Sequence, residues 1–159
     1  MTAVTANEQE LESERDVLEL PIDSLDSNEN VDHIKHVGIM DRFTIIPHLA
    51  EVNVYRKTMD ALQHKCGYTE GKIETCTLGT NLFVFYYDWR RDLVENARLL
   101  AAHIHHLRLA SANPDQRVTI VAHSTGGLIA LYYLLYGNRD VLKDAHPVPD
   151  YAGLVNVNR

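Results

Sequence analysis

Ser124 lies in the stretch VTIVAHSTGGLIALYYLLYG, residues 118–137, directly after a strand-like apolar run and directly before a helix-like one. A serine hydroxyl is a weak nucleophile until a base takes its proton. A sharp strand-to-helix turn favours that chemistry by lifting the hydroxyl clear of the chain. Such a turn needs small residues two before and two after the serine, where larger side chains would collide with neighbouring backbone. Ala122 and Gly126 occupy those places, and Gly127 lets the helix start pack closely. The backbone N–H of Thr125 then opens the helix, aimed where an oxyanion would form. The expectation is Ser124 as nucleophile and Thr125 as oxyanion amide. The competing role is structural, a Ser-Thr turn that caps the helix. His123 is adjacent to Ser124, so its side chain is expected to point away from the reacting face and to line or pack the pocket.

The elements that must position this turn are legible from spacing. In VYRKTMDALQHKCGY, residues 54–68, apolar positions recur every three or four residues and Gly67 stands where a helix stops. NLFVFYYDW, residues 81–89, is a continuous apolar run of the kind buried on both faces of a parallel sheet. In DLVENARLLAAHIHHLRLA, Val94, Ala97, Ala101, Ile104 and Leu107 share one helical stripe. Asp92 is the expected N-cap, with Glu95 at capping-box spacing. RVTIVAH predicts a second buried strand, GGLIALYYLLY a helix stopped by Gly137, and LVNVNR the opening of a third strand. Alternation of strands and helices implies an α/β class with a mostly parallel sheet flanked by helices. VGIMDRFTIIPHLAEVNVY, residues 37–55, carries no strong period and reads as extended or loop.

Charge divides the chain. Residues 1–33 hold ten acids and one base, a charge of −9 that leaves +2 for the rest of a chain whose total is −7. A near-neutral domain behind an acidic leader has no electrostatic footprint for nucleic acid. The leader lacks apolar periodicity and is expected to be disordered; the domain is assigned to 34–159. The start lacks the basic and apolar regions of a secretory signal, and no apolar run reaches a membrane span. Two cysteines, Cys66 and Cys76, are expected to be free thiols. A cytoplasmic location follows as the expectation.

The blocks YDWR, Tyr87 to Arg90, and AHSTGG some thirty residues later resemble the lecithin:cholesterol acyltransferase-like branch of the α/β-hydrolases. MDRFTIIPHLAEVNVYRKTMDALQHKCGY resembles the same branch, so the likeness covers about 37–158. It implies a hydrolase sheet, no cofactor, and serine-mediated acyl transfer from a lipid ester to water or an alcohol. Ser124 matches the family's nucleophile and Thr125 its oxyanion amide. Asp88 and Arg90 are expected at the carboxyl end of a strand, supporting the pocket or forming an ordinary ion pair with Trp89 packed on the sheet.

The fold's order of catalytic groups is serine, acid, histidine. After Ser124 come Asp140, Asp144, His146 and Asp150. A twelve-residue helix would carry the chain ~18 Å away before the first of them. The acid and base are therefore expected beyond residue 159, and a second oxyanion donor has no assigned residue. The expected domain is thus a partial hydrolase fold, a truncated member whose chain alone is incomplete for catalysis. The alternative is a non-catalytic remnant acting as a binding module. His103, His105 and His106 sit on one helix, with His103 and His106 at i, i+3 on a shared face; no third ligand follows at useful spacing, so no metal site is expected. Tyr132, Tyr133 and Tyr136 are expected as core and rim.

Overall fold

In a computed structural model, the described residues are 55–158 except 78, 112 and 114, with the backbone of short strands before them. The chain forms two compact units, Met1–Gly71 with Gly79–Tyr86, and Lys72–Leu78 with Tyr87–Arg159.

In the first unit, β1 (Ala3–Val4) pairs antiparallel with β2 (Lys35–His36). The other leader residues lie outside the described ones. Strand β3 (Arg42–Ile46) pairs antiparallel with β4 (Ala50–Asn53), so the segment without a clear period contains a hairpin. Helix α1 (Arg56–Asp60) widens into a π-type turn at Ala61–Lys65, where the Cys66 amide donates to the Ala61 carbonyl at 3.1 Å. It ends as its sequence predicts. Gly67 takes φ 72°, and the Tyr68 amide reaches back to the Leu62 carbonyl at 3.0 Å. Strand β5 (Glu70–Gly71) pairs parallel with β6 (Leu82–Phe83).

The second unit is built on two helices, α2 (Leu93–Ala110) and α3 (Thr125–Tyr136). Most of the α2 stripe is buried as its spacing predicts, with Leu100 added to Val94, Ala97, Ala101 and Ile104, while Leu107 at its end is only half-buried. Ile129, Ala130 and Tyr133 of α3 and Ile73 of the turn Ile73–Thr75 complete this core. Each large apolar side chain so enclosed contributes about 1.5–3 kcal/mol. Asp92 caps α2 by accepting the Val94 amide at 2.6 Å. Glu95 does not close a capping box; it pairs with the Arg91 guanidinium at 2.5 Å.

An α/β character is present, but the strands depart from the sequence-based expectation. Of residues 81–89 only Leu82 and Phe83 form a strand, and they are half-buried. Of RVTIVAH only Val118 is bridged, in parallel with Val157. Val121 is 74% exposed, so this strand is not buried on both faces. An apolar run reports a tendency to burial, whereas a strand needs a partner backbone in register, which the run does not encode. In place of the expected third strand, LVNVNR opens with a 3₁₀ turn at Leu154–Asn156, and among its described residues only Val157 is bridged. The segment is held by two bonds of 2.9 Å, Val118 N–H to the Asn156 carbonyl and Asn158 N–H to the Val118 carbonyl.

The tail returns along α3. Amides of Asp150 and Tyr151 donate to the Leu135 carbonyl at 3.2 and 2.8 Å. Gly153 then passes so near the helix that a Cβ on it would stand 2.1 Å from the Tyr133 carbonyl oxygen. Only glycine fits that approach.

Candidate active site around Ser124

Ser124 immediately precedes α3 with φ 54° and ψ −129°, a backbone conformation that side chains rarely adopt. For a non-glycine residue it costs on the order of 1–3 kcal/mol and persists only where the surroundings impose it. The turn is closed by the Gly126 amide on the His123 carbonyl at 3.1 Å and the Gly127 amide on the Ser124 carbonyl at 2.8 Å. The Ser124 side chain makes no capping hydrogen bond to the helix, and the residue is exposed. That observation weighs against the helix-capping role, since a capping serine offers its oxygen to the first-turn amides. Thr125 is the first residue of α3, and among the described residues no backbone carbonyl takes its amide. The positive end of the helix therefore opens beside the serine.

The steric account of the small residues needs correcting. A Cβ on Gly126 would meet the Tyr87 hydroxyl at 3.7 Å and the Ala122 Cβ at 4.0 Å, ordinary contacts with side chains rather than collisions with backbone. Around Gly127 a Cβ would meet nothing within 4 Å, so no close helix packing depends on it.

Asp88 and Arg90 form a buried, bidentate pair. Arg90 Nε donates to Asp88 Oδ1 at 2.9 Å, and Nη2 to Oδ2 at 2.6 Å, with each side chain 5% exposed. The Arg90 amide also donates to Oδ1 at 3.0 Å. The arrangement is a structural ion pair that fixes the turn 88–91. Trp89 is 52% exposed, so the expectation that it packs on a sheet fails. Its two neighbours, Asp88 and Arg90, hold the buried positions of this turn instead. Asn96 is a supporting residue that the sequence reading missed. It is 2% exposed, and its amide donates to the carbonyls of Asp88, Arg91 and Asp92 at 2.8, 3.4 and 3.2 Å. Its only sequence signal is a polar residue beside the buried stripe of α2. His123 is exposed.

The acids that follow Ser124 are engaged elsewhere. Asp140 lies 3.3 Å from Lys143 and 3.7 Å from Arg98. Asp144 and Asp150 both meet Arg139, at 2.5 and 3.2 Å, and these carboxylates, Asp144 first, raise the guanidinium pKa further. His146 is exposed.

A second polar chain joins the helices to the tail. Arg108 Nη1 donates to Asn156 Oδ1, and Asn156 Nδ2 donates to the Tyr133 hydroxyl at 3.0 Å. Burial pushes the Tyr133 phenol up, opposed by that bond and by Arg108. Burial likewise raises Tyr132, whose hydroxyl donates to the Arg139 carbonyl at 2.9 Å. Tyr132 stacks obliquely on Tyr136 with ring centroids 5.0 Å apart. On α2, burial pulls His103 below the usual imidazole value; Glu74 raises it and His106 lowers it further. No group of three metal-ligating side chains occurs among the described residues, and both cysteines are free.

The family model described as lecithin:cholesterol acyltransferase matches residues 42–148. The chain belongs to the lecithin:cholesterol acyltransferase family. The matched span takes in α1, the Asp88–Arg90 turn, α2 and the Ser124 turn with α3. Membership points to acyl transfer or lipase-type ester chemistry on lipids. Neither a curated protein nor a solved structure matches the chain. No helix among the described residues of this family member is long and apolar enough to cross a membrane.

Proposed function

We propose that this chain carries the nucleophile of a lipid O-acyltransferase or lipase-type ester hydrolase, with Ser124 attacking the ester carbonyl. Ser124 Oγ forms a bond to the carbonyl carbon as a base removes its proton, and the ester's C–O bond breaks as the leaving alkoxide is protonated. Water or an alcohol then attacks the acyl-serine and restores the hydroxyl. The Thr125 amide stabilises the oxyanion of each tetrahedral intermediate. The base and its orienting acid lie outside the described residues on this reading, since the acids after Ser124 are held in ion pairs. Asp88, Arg90 and Asn96 act by fixing the turn 88–91, and no cofactor takes part.

One observation carries the proposal: an uncapping, exposed serine at φ 54° on the threshold of a helix, in a chain of this family. Glycine would hold that conformation without strain, so the strained serine supports a role for the hydroxyl itself. Free thiols and a near-neutral domain support a lipid ester as partner rather than nucleic acid, and a reducing, cytoplasmic setting.

The test is turnover of a short-chain nitrophenyl ester by the chain and by Ser124→Ala. A rate above buffer that the substitution removes upholds the reading; equal rates sink it.

A further inference from the structure

The strained turn at Ser124 has to be held by something, because a non-glycine residue at φ 54° relaxes unless its surroundings prevent it. Its own hydroxyl does not help, since it makes no bond to the helix. A Cβ placed on Gly126, two residues after the serine, would meet the Tyr87 hydroxyl at 3.7 Å, the Tyr87 ring at 4.0 Å and the Ala122 Cβ at 4.0 Å. Tyr87 thus lies beside Gly126 at the helix start, while Ala122 is two residues before the serine on the incoming run.

Tyr87 is itself anchored. The next residue, Asp88, is fixed at its carboxylate by Arg90 and at its carbonyl by the buried Asn96 amide. A tyrosine has two side-chain torsions, so a fixed backbone delivers its tip to a narrow range of positions.

We infer that Tyr87 is a positioning residue for Ser124, lying beside Gly126 in the first turn of α3 so that the serine keeps its strained conformation. Catalysis as such is not assigned to it. The inference rests on the reading of Ser124 as nucleophile for its kinetic consequence, and on geometry alone for its structural one. If Tyr87 holds the strain, removing the ring lets Ser124 relax. A glycine at 124 then has no strain left to relieve.

Two measurements test this on the full chain. The first is thermal unfolding of wild type, Tyr87→Ala, Ser124→Gly and the double variant. Ser124→Gly is expected to raise the melting temperature of wild type and to leave that of Tyr87→Ala unchanged. An equal rise in both backgrounds overturns the inference. The second is nitrophenyl ester kinetics, where Tyr87→Ala is expected to lower kcat at least tenfold with KM unchanged. A loss confined to KM, or no loss, overturns it too. Should Tyr87→Ala fail to unfold cooperatively, Tyr87→Leu goes through the same two measurements with the same expectations. A wild type no more active than Ser124→Ala sinks the nucleophile reading, and the melting temperatures then decide the role of Tyr87 by themselves.

Discussion

Asp88 and Arg90 clasp each other across a single residue, with two guanidinium nitrogens on one carboxylate and both side chains almost wholly out of solvent. Removing Asp88 takes the facing carboxylate from the buried Arg90 guanidinium, and from Arg91 a carboxylate 3.6 Å away. Asp88→Ala is expected to destabilise the second unit by about 3–5 kcal/mol. Chemical denaturation of the single variant and of Asp88→Leu/Arg90→Met checks this. The double variant should recover much of the loss, and a double as unstable as the single contradicts the pairing argument.

Ser124→Gly should remove activity yet stabilise the fold by about 1 kcal/mol, since glycine adopts φ 54° freely and no cap is lost. A lower unfolding midpoint than wild type refutes the strain.

Gly126→Ala is expected to be tolerated within ~0.5 kcal/mol, because the added methyl meets only ordinary contacts at 3.7 Å and beyond. Gly153→Ala is expected to cost more than about 3 kcal/mol, because its methyl would overlap the Tyr133 carbonyl and α3 could not stay where it is. Comparing the two alanines side by side separates a contact made with side chains from one made with helix backbone.

His103 supplies a pH dependence. Its folded pKa lies below the unfolded value, with burial as the main cause, so the unfolded chain binds more protons in the window below about pH 6.5. Stability is therefore lost as the pH falls through that window, and the contribution is neutral above it. Glu74 tempers the effect and His106 adds to it. His103→Gln should flatten the fall in melting temperature between pH 7 and pH 5; an unchanged slope shows that other groups govern it.

How far the sequence reveals these features depends on the physics each expresses. The α2 stripe and the Asp92 cap are local, set by helical spacing and a two-residue reach, and both are present. Glu95 also lies within local reach of two partners, and the Arg91 guanidinium outcompetes a neutral amide for it. The strands at 81–89 and 117–123 depend on a partner in register, which apolarity does not specify, and they shrink to Leu82–Phe83 and a single bridge. At the serine, the turn is legible from strand, small residues and helix. The side chain's abstention from capping is not, because it follows from φ and ψ rather than residue type. Asn96 escapes notice because its three acceptors are carbonyls, and any residue type supplies a carbonyl.

The tail from Asp150 to Asn158 is tied to the Leu135 carbonyl at one end and to Val118 at the other. Helix α3 and the run leading into Ser124 are thereby closed into one loop. In hydrogen-exchange terms the Val118 and Asn158 amides are expected to open together with the last turn of α3. A protease that nicks the tail near Asp150 therefore acts at a distance, loosening the run into Ser124 without touching it.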